Sequence, residues 1–396
     1  MLYAFMLTRA GLGHVHLHHG AQEQEQVAIL EWMGASPIYT QRMQRALAFG
    51  GTGMPTIFKG LQLDVGFTHQ YMDVGYRITD DEHGEFWLNS CGALLDVEPM
   101  GEDFVFSMCH HIEDPTFDAT AVATNARARI RPVHRPPRAP AGREPHCHWT
   151  VVVDPDAEPV VEAELTRRVR TSRLAVLETH VPPGRDEGGR PDYSGELDPE
   201  FQLEVLGHGA LLRALDELVL QSHLLVRSML LAVEDRQGAT AARDLAVDQW
   251  VGANWLASER LRTFLGDGAG DAAATLGRVL ALHPAFPPEY APLTVDVLDP
   301  RRVRLTLDPG APALAEGDSA SLAALLAAGE LRPLAALVHG VERGAVVEPA
   351  GTLAWDAVLD PAAPPAAEPD AVAITRVGQC AGFTFERRRP LEGVKP

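Results

Sequence analysis

Hydrophobic and polar positions along this chain change period several times, and each change marks an element. Residues 22–49 (QEQEQVAILEWMGASPIYTQRMQRALAF) carry apolar side chains three and four apart, the spacing of one helix face, with a break expected at Pro37 and hence a helix pair. From Met72 the period falls to two. MDVGYRITD and EFWLNSC read as strands flanking DDEHG, where Gly84 gives the freedom of a tight connection, and the hairpin ends on Cys91. Residues 102–113 (EDFVFSMCHHIE) read as a short buried helix or a strand stopped at Asp114 by Pro115; a helix would set Cys109 and Glu113 on one face. ARARIRPVHR alternates and CHWTVVVD is β-branched, so the two form a second hairpin across PPRAPAGREP, with Cys147 opening the return strand.

Residues 181–200 are poor in apolar side chains and rich in Gly, Pro and charge, which predicts a solvated linker and a domain boundary. Beyond it, GHGALLRALDELVLQSHLLVRSMLLAVED and LAVDQWVGANWLASERLRTFL return to the helical period. The halves also align with each other. LQLDVGFTHQYMDVGYRITD from Leu61 lies on LALHPAFPPEYAPLTVDVLD from Leu280 at one offset, pairing Phe67 with Phe286, Tyr71 with Tyr290 and Asp80 with Asp299. Further along, Cys91 falls on Gly310, HHIE at 110 on HGVE at 339, and WTVVVDP at 149 on WDAVLDP at 355.

The expected fold is therefore α+β, an internal duplication packed as a pseudo-dimer, each half a helix pair followed by a hairpin, a helix and a hairpin. Chance alignment of two halves of like composition is the alternative. The expected segments are a His-rich N-terminal stretch (1–21), a first half with the chemistry (22–180), the linker (181–200), a degenerate second half (201–361) and a flexible Ala- and Pro-rich tail (362–396).

A chain of 396 residues is long enough for two cores. With 34 basic against 54 acidic residues and a formal charge of −20, it is ill suited to phosphate backbones or anionic lipid. Neither nucleic acid nor a membrane is expected as a partner, and no apolar run approaches the roughly 20 residues of a spanning helix. Four cysteines are too few for a disulfide scaffold, so a cytoplasmic protein acting on a small molecule is expected, as a monomeric pseudo-dimer or a homo-oligomer.

The candidate chemistry is concentrated in LNSCGA (Cys91), MCHHIED (Cys109) and PHCHW (Cys147). A thiolate beside imidazole is a nucleophile: Cys91, with His110 or His111 moving the proton and Glu113 as base, could attack a C=N or amide carbon. Alternatively Cys109, His134 and Cys147, with His146, His148 or His110 as fourth ligand, could hold zinc in a tetrahedral site. Iron is the other metal considered, held by His110 or His111, a histidine of PHCHW and Glu113. An inert buried cysteine cluster is the structural alternative to all three.

Arg131, within a run of arginines, could bind a substrate carboxylate, although alternating positions also suit a solvated strand face. In GHVHLHHG, His14, His16 and His18 would lie on one side of an extended strand and could grip a metal, or form a peripheral tail. His69, Tyr71 and Tyr76, near the first hairpin, could line a pocket or simply fill core.

The three-cysteine order, with an acid after the second cysteine and an aromatic after the third, resembles the L-2-amino-thiazoline-4-carboxylic acid hydrolase family. Over residues 25–155 it also looks like the related small-molecule-binding domain named for 4-vinyl reductase. FWLNSC carries the first family cysteine at Cys91, MCHHIED the second at Cys109 with its acid at Glu113 or Asp114, and CHW the third at Cys147. The extra histidines and the proline-rich insert before Cys147 depart from the pattern. The resemblance implies a hydrolase of a small C–N or C=N substrate, or a non-catalytic small-molecule binder stapled by zinc with His134 in one ligand position. A non-haem iron oxidoreductase is a third expectation.

Overall fold

Two long helices meeting at a glycine open the chain. In the computed structural model, which describes residues 1–68, 71–180, 188–266, 271–317 and 320–377, α1 (Leu2–His19) and α2 (Ala21–Ala46) join at Gly20, whose φ of 90° suits a residue without Cβ. The His-rich stretch is thus the end of a helix and not an extended strand. Tyr3, Leu7, Ala10 and His14 are all buried on one face, and this helical spacing outweighs the short alternation of HVHLH. Nor does Pro37 break α2. The Met33 carbonyl, which Pro37 cannot satisfy for want of an N–H, accepts instead from Thr166 Oγ1 at 2.9 Å, so residues 22–46 are one helix.

After α3 (Met54–Gln62), strands β1 (Met72–Ile78) and β2 (His83–Cys91) form the expected hairpin. Next come α4 (Gly92–Val97), α5 (Glu102–Phe106), one π-helical turn at Ser107–Ile112, and α6 (Glu113–Val122). The helix therefore continues through Pro115 instead of stopping at Asp114. Proline brings no N–H back to the preceding turn, and that turn opens into the wider π form. β3 (Ala128–His134) and β4 (Cys147–Val153) complete an antiparallel sheet of order β1-β2-β4-β3, in which Phe86 stacks on its cross-strand partner Trp149. Short helices α7 (Glu164–Arg170) and α8 (Arg173–Val176) close the half.

The second half runs α9 (His208–Gln237), α10 (Ala239–Leu265), α11 (Ala272–Ala281), β5 (Leu293–Asp299), β6 (Arg302–Leu307), α12 (Leu322–Ala327) and α13 (Arg332–His339). It ends with β7 (Ala345–Gly351), β8 (Ala354–Leu359) and α14 (Asp370–Arg376). Its sheet order, β5-β6-β8-β7, is that of the first half, and α9 meets α10 at Gly238 with a φ of 92°. The fold is α+β. No helix among the described residues is long and apolar enough to cross a membrane.

The long helices pack crosswise between halves, α1 on α10 and α2 on α9, while α6 and α13 connect each sheet to them. One hydrophobic cluster runs from Tyr3 to Val372 through both halves; a second lies under the first sheet. Inside the α2–α9 contact, Arg42 forks onto Glu217 at 2.8 and 2.9 Å and donates to the carbonyls of Ala175 and Leu177.

The segment expected to be a solvated linker and the tail expected to be flexible are both packed in part where described. Tyr193 is buried and stacks on Phe201 at 4.1 Å while Lys59 donates to its carbonyl, so residues 190–201 fold onto the first half; residues 181–187 lie outside the described set. One aromatic in a polar stretch is enough apolar surface to dock it. Likewise α14 buries Val372 against α10 and α1, whereas residues 378–396, with the fourth cysteine, lie outside the description.

Candidate functional site

Cys91, Cys109 and Cys147 are all unpaired and buried, and all three belong to the core beneath the first sheet. Each reaches it by a different element. Cys91 ends β2 and caps α4, its Sγ accepting from the Leu94 N–H; Cys109 sits on the π-helical turn; Cys147 is the first inward residue of β4, opposite Leu88. Burial pushes the Cys91 thiol up to about 12 and raises the other two further above the usual range, so all three are neutral thiols near pH 7. In a Cys380→Ser background, a disulfide thiol reagent at mildly alkaline pH should label none of them while the chain is folded and all of them in denaturant. Fast labelling of Cys91 in the folded chain would restore the nucleophile reading.

The histidines are dispersed. Strand alternation turns His148 to the face opposite Cys147, where it meets Glu85 at 2.8 Å and faces His134 across the strands. His134 Nε2 donates to the Pro145 carbonyl at 3.1 Å, so neither ring joins the thiols. Buried His146 accepts the Cys91 N–H at Nδ1, and burial followed by the nearby Arg138 charge lowers its pKa. His110 donates to the Pro136 carbonyl, and exposed His111 pairs with Glu25 at 2.8 Å. Arg131 is exposed and engaged by both oxygens of Asp118. The set expected to hold zinc is thus divided between two sheet faces, and the arginine expected to hold a carboxylate already has one.

Glu113, expected as a base or a metal ligand, stands in the wall of a cavity. It lines an apolar cavity of about 350 Å³ walled by α1 and α2 on one side and the first sheet and the α4–α6 segment on the other. Phe5, Leu12, Trp32, Phe67, Tyr71, Leu88 and Phe117 supply much of the wall, and exposed Leu17, Met100 and Val377 mark its rim. The Glu113 Oε2 atom is shut off from solvent and has no hydrogen-bond partner among the described residues. Burial raises the carboxyl to about 8, against an opposing but smaller pull from Arg135, so it is largely protonated at neutral pH. Such a group can donate a hydrogen bond into a largely apolar pocket.

Two more acids stand behind the same walls. Asp64 lines the cavity, accepts from Tyr39 and the Gly66 N–H, and is raised by burial to about 6; Glu31 accepts from Thr8 and is raised by burial to about 8. Both were legible as single acids inside apolar runs, LQLDVGF and VAILEWM, a pattern that flags a buried carboxyl. Of the pocket-lining aromatics expected near the first hairpin, Tyr71 lines the cavity and donates to Asp96 at 2.6 Å, Tyr76 is core, and His69 lies outside the described residues.

No family model, curated protein or solved structure matches the chain. What the site can do chemically therefore rests on its own atoms. It offers a largely apolar cavity open at its rim, one neutral carboxyl oxygen without a partner among the described residues, and thiols too weakly acidic to form the attacking thiolate near pH 7.

Proposed function

We propose that the first half is a receptor for a small, largely apolar molecule bearing one hydrogen-bond acceptor, such as a carbonyl compound, seated in the α1–α2–sheet cavity with its acceptor at Glu113. The observation that carries this is the unpartnered Glu113 Oε2 in the wall of an apolar cavity of about 350 Å³, within the size range of small-molecule sites. Leaving a polar group without a partner in an apolar setting costs about 1–3 kcal/mol, and a ligand acceptor removes that cost. Hydrolysis through Cys91 would need a thiolate, and a neutral thiol capping α4 is poorly placed to become one. Of the expectations drawn from the resemblance over residues 25–155, the neutral Cys91 thiol favours the small-molecule binder over the hydrolase.

We also infer that the halves descend from one unit, of which only the first keeps the site. The shared sheet order, the matching glycine corners at Gly20 and Gly238, and the alignment from Leu61 and Leu280 support this.

A titration with an environment-sensitive naphthyl ketone tests the binding reading, with energy transfer from Trp32 as the signal. Saturable binding of a single equivalent is expected, and Ala93→Phe, which fills the cavity from the α4 side, should weaken it by at least about tenfold, the cost of roughly 1.4 kcal/mol. Equal binding by wild type and Ala93→Phe would overturn the assignment.

A further inference from the structure

A second cavity, of about 440 Å³, opens on the opposite flank of α1, where that helix meets α10, α13 and α14 of the other half. Its rim carries His14 and His18, one helical turn apart on α1, with rings 4.3 Å apart, and Asp248 facing them from α10. One ligand atom from each of the three lies within 4.8 Å of the others. His14 Nδ1 and Asp248 Oδ2 already stand 2.8 Å apart, the separation of a nitrogen and a carboxylate that share a proton where both could share a cation.

We propose that His14, His18 and Asp248 hold one divalent first-row transition-metal ion, with its remaining coordination positions open toward the second cavity. Two imidazoles and one carboxylate approach from the helices alone, so the protein covers one side of the ion and leaves the other to water or a small ligand, as open metal sites do. Trp255, His339 and Arg332 bound the space beyond, and Arg332 is held in place by Glu330 at 2.8 Å.

The fold itself supplies a control. At the matching positions around the Gly238 corner, α9 carries Ala232 and Arg236 where α1 carries His14 and His18, and α2 carries Leu30 where α10 carries Asp248. The helix corner forms there without any of the three ligands. A helix corner of this kind therefore does not require the triad for its packing.

The test uses the full-length chain, stripped of metal by a chelator and titrated with Co²⁺ and then with Zn²⁺ as competitor. A single equivalent of Co²⁺ should bind with visible ligand-field bands and no sulfur-to-cobalt charge transfer, and Zn²⁺ should displace it. His18→Ala, at an exposed position that folding does not depend on, and Asp248→Asn should each weaken binding by at least about tenfold. His83→Ala, which removes an exposed histidine paired with Asp80 at 2.8 Å but without a third ligand among the described residues, should change nothing. Absence of stoichiometric binding would overturn the proposal. So would charge-transfer bands that persist in His18→Ala, because they would place the metal on the cysteines.

Discussion

Replacing Arg42 with methionine should destabilise the chain by about 3–5 kcal/mol in urea denaturation, the cost of stranding one member of a buried ion pair. Arg42 and Glu217 are each only 5% exposed and come from α2 and α9, so the loss falls on the contact that joins the halves. The Ala175 and Leu177 carbonyls lose their donor as well. The pair is not therefore a net source of stability. Arg42→Met combined with Glu217→Leu removes both charges and should recover the larger part of the loss, leaving mainly the two orphaned carbonyls. A single variant costing less than about 1 kcal/mol would show that the pair behaves as an exposed one and that this helix contact is wet.

Glu113→Gln should make the chain more stable than wild type above pH 8 and leave it nearly unchanged below pH 4.5. The sign follows from linkage. The folded carboxyl is raised to about 8 from an ordinary 4.5, so between those values the native state holds a proton that the unfolded state has released. Stability associated with Glu113 is then fully present below 4.5 and is lost as pH rises through about 8. Glu31, also raised to about 8, and Asp64, raised to about 6, add to the same slope, so the variant should flatten it only in part. Urea midpoints of the two chains on either side of that window measure the effect. A wild type that gains stability relative to the variant as pH rises would mean that Glu113 is ionised in the folded state.

The fold was legible wherever one face of an element was consistently apolar. The strands of both hairpins, the long second-half helices and the buried cysteines all follow from alternation or helical spacing, which a pleat or a helix imposes directly. Prolines misled the reading. Pro37 and Pro115 remove local hydrogen bonds, and their consequences were settled at a distance, by Thr166 in one case and by a widened turn in the other. The N-terminal histidines misled for the opposite reason, since the alternation in HVHLH hid the helical spacing of Tyr3, Leu7 and Ala10 just before it.

For the site, the sequence grouped Glu113 with the three cysteines but could not show on which sheet face each histidine falls. A shift of one residue along β4 separates Cys147 from His148 by the thickness of the sheet. The cavity was also beyond reach, because its wall is assembled from α1, the first sheet and the rim beside α14, elements distant in sequence.

The neutral carboxyl in the cavity is the central element of the site. The deciding measurement is the pH dependence of naphthyl-ketone binding by wild type and Glu113→Gln. Wild-type affinity should hold below pH 8 and fall as pH rises through it, because the ionised carboxylate can no longer donate; the glutamine amide keeps its donor, so the variant should bind without that fall. Wild-type binding unaffected by pH across this range, or binding that falls identically in Glu113→Gln, would contradict it.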